Sequence, residues 1–255
     1  MQELTTSRRL LFLDGTAETR IRLDGRALAV RSPGRARQWY PLRLLARVIS
    51  RPNDAGEGAA MIALNEAGIP LFFLDKDGKL VGACLGRFDD RTGLGAHLET
   101  LMALPDWPVR YENWLRAQER RILHHLHVAL GWPQADLRPE VTRERLDGAM
   151  RQRLGSAWSA RLHPLMGILR SEVGRELSEM GVDADVIAGL RGQAPLVRDI
   201  SALVGWTLRG RIVAEPRSLP ADGPALIGYF EGLLRPKLLP SVRRVVASLW
   251  KLRLA

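Results

Sequence analysis

Apolar and polar positions alternate with a period of two through roughly the first 85 residues, and from about Gly93 they repeat with a helical period. In the first part, RIRLDGRALAVRS alternates on both sides of Asp24-Gly25, a strong hairpin signal because such a pair tolerates the positive φ of a tight turn. QWYPLRLLARVIS follows as one or two further strands, with Pro41 expected at a strand start or a sheet edge, since it cannot donate to a ladder. EGAAMIALNEAG changes to a helical period and ends at Gly68, where a C-cap glycine belongs. IPLFFLDKDGKLVGACLG then predicts a second hairpin, turning at Asp75, Lys76, Asp77 and Gly78.

The second part predicts helices. VRYENWLRAQERRILHHLHVAL places Tyr111, Leu115, Ile122 and Leu126 toward one side and arginines on the other. PEVTRERLDGAMRQRLGSAW, PLMGILRSEVGRELSEMGV and PLVRDISALVGWTLRGRIV are further helices. The last long stretch, PALIGYFEGLLRPKLLPSVRRVVASLWKL, is expected to break around Pro236 and Pro240. Glycine and charge replace the apolar pattern in GRFDDRTGLG, residues 86–95, which marks a boundary. The expected architecture is α+β: a small N-terminal β-rich domain with one helix over residues 1–88, then a larger all-α C-terminal domain over 94–255.

Composition narrows the partners. The 255 residues carry a formal net charge of +10, which favours a polyanion, nucleic acid first and an acidic membrane surface second. Four lysines (Lys76, Lys79, Lys237 and Lys251) leave arginine as nearly all of the 38 basic residues; arginine suits bidentate phosphate contacts, and a GC-rich genome also enriches it. The single cysteine, Cys84, excludes an intramolecular disulfide and fits a reducing cytoplasm. No apolar run reaches the roughly 18 residues that span a bilayer, and MQELTTSRRLLFLDG lacks the apolar segment of a signal peptide. A soluble, cytoplasmic protein without a membrane partner is the expectation.

Several residues invite a chemical reading. In PLVRDISALVGW, Leu196, Ile200, Leu203, Val204 and Thr207 share a helical face, Arg198, Ser201 and Gly205 point away, and Asp199 lies at the edge. A carboxylate half-sunk beside apolar groups needs a positive or hydrogen-bonding partner. His124 and His127 share a helix face, but no acid or cysteine accompanies them, so a solvated or DNA-facing histidine surface is expected over a metal site. Arg110, Arg116, Arg120, Arg121, Arg143, Arg145, Arg151 and Arg153 are candidates for a phosphate-binding face, interspersed with Glu112, Glu119 and Glu144 that would pair some of them. Trp39, Tyr40, Trp107, Trp114 and Trp132 could stack on unpaired bases, although core packing is the commoner use of tryptophan. DKDG lacks the spaced acids of a calcium loop and reads as a turn. The basic, amphipathic RPKLLPSVRRVVASLWKLRLA reads as a packed C-terminal helix rather than a membrane-surface one.

The order of segments resembles the CRISPR-associated adaptation integrase, the first-numbered Cas protein, which inserts new spacers into CRISPR arrays. The residues that carry the likeness are YPLRLLARVIS, AAMIALNEAG and IPLFFLDKDGKLVG in the first domain. In the second they are RLDGAMRQRL, LHPLMGILRSEVGRELSEMGVDADVIAGL and PLVRDISALVGW. The resemblance implies a glutamate, a histidine and an aspartate on three helical segments around Mg or Mn, because phosphodiester transesterification uses a metal to polarise the phosphate and activate a hydroxyl. Carried over, Asp147 stands at the glutamate position and Asp199 at the aspartate position, as catalytic residues and metal ligands. Where the histidine is expected the chain has Leu190 and Arg191, and Ala202 replaces the acid one turn after Asp199. Arginine cannot ligate a metal. Either Arg191 pairs with Asp199 as a replacement for the ion, in a metal-free relic, or another histidine such as His163 completes the site.

The resemblance further implies a homodimer formed through the N-terminal domain and a small ferredoxin-like Cas partner. Its DNA would be a duplex with single-stranded ends, joined to the CRISPR repeat by a divalent-metal-dependent endonuclease or integrase activity. Two other readings stay open: a non-catalytic DNA- or partner-binding subunit of an adaptation complex, and a helical protein-interaction module with no nucleic-acid role.

Overall fold

A computed structural model describes residues 8–13, 19–51, 58–75, 77, 80–85, 93–183, 186–187, 195–215, 219–220 and 223–252. The chain divides into two compact units, residues 1–89 and 90–255. Strands dominate the first and helices the second, the α+β arrangement expected from the pattern.

The first unit holds two sheets. Strands β2 (Arg20–Asp24), β3 (Ala27–Arg31) and β4 (Gln38–Pro41) form an antiparallel sheet in that order. Gly25 supplies the positive φ of +58° in the β2–β3 turn, with Asp24 paired to Ala27 across it. Pro41 ends the edge strand β4, and a 3-10 turn over Leu42–Leu44 leads into β5 (Leu45–Ser50), so QWYPLRLLARVIS is two strands in different sheets. The second sheet has the order β1-β5-β6-β7, with β1 (Arg9–Leu13), β5 and β6 (Leu71–Leu74) parallel and β7 (Leu80–Cys84) antiparallel. The parallel step from β5 to β6 needs a crossover, which helix α1 (Gly58–Glu66) provides. Leu45, Val48 and Ile49 of the interior strand β5 are buried in sequence rather than in alternation, as parallel strands covered on both faces are. In the β6–β7 turn Asp77 N–H donates to Asp75 Oδ1 at 2.9 Å; Lys76 and Gly78 lie outside the described residues, as do residues 86–92 of the expected boundary.

The second unit contains α2 (Leu94–Met102), α3 (Trp107–Leu130), α4 (Pro139–Leu154), α5 (Trp158–Glu179), α6 (Leu196–Ala214), α7 (Gly223–Tyr229) and α8 (Arg235–Ser248). Helix α6 is central, packed by α3, α4, α5 and α8. Ser201 and Gly205, expected to point away from the core, are therefore buried along with the apolar face. Two glycines permit close approach. A Cβ on Gly210 of α6 would sit 2.2 Å from Leu126 Cδ1 of α3, and one on Gly95 of α2 would sit 2.0 Å from the Gly181 carbonyl oxygen. The break expected at Pro240 does not occur: a π-helical turn, Phe230–Leu234, precedes α8, and α8 runs through Pro240 on an exposed flank where water can satisfy the freed carbonyl.

Candidate functional site

Asp199 stands in the first turn of α6, where the helix dipole favours a carboxylate. Its two oxygens are engaged separately. Tyr111 Oη donates to Oδ2 at 3.2 Å, and Arg198 Nε donates to Oδ1 at 3.0 Å. The Asp199 side chain is only 16% exposed, whereas that of Arg198 is 72% exposed, so the buried partner is the phenol and the arginine lies over the solvent side. Tyr111 is fixed from both sides along α3. Its ring stacks on Trp107 at 5.2 Å and on Trp114 at 5.6 Å between centroids, and Trp114 Nε1 donates to Ser248 Oγ of α8 at 3.1 Å. Burial, then the Asp199 charge and hydrogen bond, push the Tyr111 hydroxyl well above the usual tyrosine range, so it stays a protonated donor.

Asp147 keeps different company. It is half-buried on α4 and faces the Arg209 guanidinium of α6 electrostatically. Arg209 and Arg143 stand over the Trp206 ring, at 5.8 and 5.6 Å from its centroid, while Trp206 Nε1 donates to Glu119 Oε1 at 3.2 Å. Burial, joined by the like charge of Arg143, lowers the Arg209 guanidinium from its ordinary value; Asp147 opposes that shift. Arg209 is ten residues along α6 from Asp199, about 15 Å of helical rise, so the two carboxylates answer to opposite parts of the same helix.

The divalent ion implied by the resemblance needs a converging set of ligands. Among the described residues no three His, Cys, Asp or Glu side chains could hold one. All five histidines of the sequence are among those residues. His163 is exposed on α5 with Ser159 Oγ at 3.4 Å, three residues before Met166, which packs at Gly205 rather than at Asp199. His97 meets the Leu252 carbonyl and the Trp250 ring. His124 and His125 are exposed as expected, but His127 is fully buried, Nδ1 to the Pro133 carbonyl at 2.8 Å and Nε2 to Thr142 Oγ1 at 2.9 Å. His127 is thus a tie between α3 and α4 and not part of a histidine surface, because the α3 face that carries Leu123 and Leu126 also includes it. Leu190 and Arg191 lie outside the described residues. The described residues do not fit the metal, and Asp199 has protein donors on both oxygens.

The candidate phosphate-binding arginines divide. Arg110 pairs with Asp106 at 2.7 Å and Arg116 with Glu112 at 2.5 Å, both one turn away on or beside α3. Arg145 pairs with Asp136 at 3.0 Å, and Arg153 donates to the Val213 carbonyl. Arg120, Arg121 and Arg151 are exposed and make no ion pair among the described residues. Trp107 and Trp114 are core, Trp132 is half-buried against the His127 ring, and Trp39 is 55% exposed with its Nε1 donating to Asp24 Oδ2 at 2.9 Å.

One ionic cluster escaped sequence reasoning. On α5, Glu172, Arg175 and Glu176 are buried; Arg175 donates to both glutamates and to Glu179, Arg235 donates to Glu172 at 3.2 Å, and Arg243 donates to Glu176 at 3.2 Å. Burial alone would lower the Arg175 guanidinium, but Glu172, Glu179 and Glu176 outweigh it and the net shift is upward. The available signal was the i, i+3, i+4 and i+7 spacing of these four charges on one helix face.

No protein-family model matches the sequence and no curated protein matches it. Solved structures do share the fold. The chain is similar to a Cas1 protein from Thermotoga maritima at a TM-score of 0.69 and 12% identity, over 94% of this chain and 97% of that one. It is similar to a casposase bound to its integration product at 0.58 and 15%, over 97% of this chain and 92% of that one. A chain of a Cas6-RT-Cas1–Cas2 complex gives 0.54 and 14%, over 98% of this chain and 36% of that larger one. The fold of this protein is the one those Cas1 proteins and casposase have.

Proposed function

We propose that this protein is a DNA-binding, Cas1-like subunit of CRISPR spacer acquisition that does not itself carry out metal-assisted strand transfer. The observation that carries the reading is the fold: nearly the whole chain follows both a Cas1 protein and a casposase held on its integration product. The net charge of +10 and the exposed Arg120, Arg121 and Arg151 supply the means of holding a phosphate backbone. Arg110 and Arg116 can join them, since surface pairs one turn apart are worth only about 0.3–0.5 kcal/mol and yield to a phosphate. The non-catalytic part rests on the donor set around Asp199, where a phenol and a guanidinium occupy the carboxylate that a metal would need.

In this reading the DNA is a duplex with single-stranded ends, and the CRISPR repeat is the second DNA. A small ferredoxin-like Cas partner and a second copy of this chain, joined through the β-rich domain, complete the assembly; the Cas1–Cas2 assembly among the similar structures supports such a partner.

Fluorescence anisotropy on a splayed duplex, titrated with salt, tests the binding. A steep loss of affinity with rising salt is expected, and salt-insensitive or absent binding would return the chain to the class of protein-interaction modules. An integration assay with Mn²⁺ tests the chemistry: no joined product is expected, and product that disappears in Asp199→Ala would place Asp199 in a working metal site.

A further inference from the structure

A groove of about 440 Å³ opens within the helical unit between α3, α6 and α8, away from Asp199. Its floor is aliphatic, formed by Ile122, Leu126, Leu130 and Val245 with Pro236 and Pro240 beside them. Its rim is cationic, with Arg121 from α3, Arg211 from α6, and Lys237 and Arg244 from α8. No acidic side chain lines it. Lys237 is neutralised by Glu215 at 3.2 Å, whereas Arg121, Arg211 and Arg244 have no ion pair or side-chain hydrogen bond among the described residues. Three uncompensated guanidiniums around one trough repel one another, and an anionic occupant relieves that repulsion.

The chemistry of the floor selects among anions. Single-stranded nucleic acid is held by aromatic faces on which bases stack, and this groove offers no phenylalanine, tyrosine or tryptophan, its single aromatic ring being the His125 imidazole. Aliphatic floors between helices suit the apolar stripe of an amphipathic segment, and arginine rims suit carboxylates through bidentate contacts. Along α3 the lining runs from Gln118 to Leu130, about 18 Å of rise, or some three helical turns.

We infer that this groove is the docking site for an acidic amphipathic segment of a protein partner, which lays aliphatic side chains on Ile122, Leu126, Leu130 and Val245 and carboxylates on Arg121, Arg211 and Arg244. The inference shares Arg121 with the DNA-binding reading but not Arg211 or Arg244, so variants of those two residues separate the readings.

Anisotropy with a labelled synthetic peptide of about twelve residues, leucines at helical spacing and glutamates elsewhere, is the direct probe. A scrambled peptide of the same composition and an oligothymidylate of similar charge serve as comparisons. The amphipathic peptide is expected to bind about tenfold more tightly than the scramble, and the double variant Arg211→Ser with Arg244→Ser to lose about tenfold. Both residues are exposed, so an unchanged melting temperature is expected, and binding of the splayed duplex stays as in the parent protein. Ile122→Ser, a change in the floor, is expected to weaken the amphipathic peptide alone. Equal binding of the two peptides, or no binding of either, overturns the inference. Displacement by oligothymidylate that depends on Arg211 and Arg244 also overturns it and gives the groove to nucleic acid.

Discussion

Tyr111 Oη and Asp199 Oδ2 lie 3.2 Å apart, joining the first third of α3 to the first turn of α6. The bond ties the one fully retained position of the implied metal triad to a buried aromatic stack, and so makes it a structural contact of the helical unit. Its pH dependence follows from linkage. The folded-state pKa of Tyr111 is raised above its unfolded value of 10.0, so the proton is held more tightly by the folded protein. The contribution to stability is complete below about pH 10 and falls away above it, by about 1.4 kcal/mol per pH unit while only the unfolded chain ionises. Urea unfolding of the parent protein and Tyr111→Phe on either side of that pH is expected to show the alkaline loss shrinking in the variant. Near neutral pH the same variant loses about 1–2 kcal/mol, because Asp199 keeps Arg198 as its other donor. An identical alkaline slope in the two proteins would show that Tyr111 is not the group responsible.

Arg175 is the hub of a second set of charges, and its removal leaves Glu172 and Glu176 buried with Arg235 and Arg243 of α8 among their remaining partners. Breaking a buried pair by deleting one partner costs about 3–5 kcal/mol, since the remaining charge loses compensation it cannot recover from water. Arg175→Ala is expected to lower stability by about that amount in urea unfolding, and Arg175→Lys to recover only part, because one ammonium cannot reproduce the fork to three carboxylates. A change below about 1 kcal/mol for Arg175→Ala would mean the glutamates are not held as described.

Gly95 and Gly210 are both points of close approach, yet alanine is expected to act differently at the two. At Gly95 the added Cβ meets the backbone oxygen of Gly181, which cannot move without shifting the chain after α5. At Gly210 it meets the end of the Leu126 side chain, which can change rotamer. Alanine also gains about 1 kcal/mol of helix propensity at either site. Gly95→Ala is therefore expected to cost at least about 2 kcal/mol and Gly210→Ala less than half as much, read from paired denaturation curves. The reverse order would contradict the packing of α2 on the end of α5.

Local periodicity carried the hairpins, α1, and the long helices, because each is set by neighbours in sequence. What it could not carry depends on distant segments. The parallel pairing of β1 with β5 joins residues far apart in the chain and leaves no local mark. Ser201 and Gly205 read as a polar face of α6 because small residues look alike whether they meet water or a neighbouring helix; their burial emerges only once α3, α4, α5 and α8 pack on α6. His127 shares a side of α3 with exposed His124, yet a rotation of about 60° around the helix brings it onto the buried face of Leu123 and Leu126. At the site, the sequence pointed to Asp147 and Asp199 individually, but their separate partners, Arg209 and Tyr111, come from other helices and carry no spacing signal.

Arg120 and Arg151 lie on the exposed sides of α3 and α4 and are free of ion pairs among the described residues. A phosphate contact made by such a residue releases about 0.9 of a counterion on duplex DNA, so each adds close to one unit to the slope of log affinity against log salt. The double variant Arg120→Ser with Arg151→Ser is expected to reduce that slope by about two units and to weaken binding at low salt, uniformly across DNA sequences. Asp147→Asn acts in the opposite sense if its charge faces the same DNA: removing a carboxylate near Arg209 and Arg143 leaves the local field more positive, and binding at low salt is expected to tighten. A slope unchanged in the arginine variant would remove these two residues from the DNA surface and leave the proposed binding to other parts of the chain.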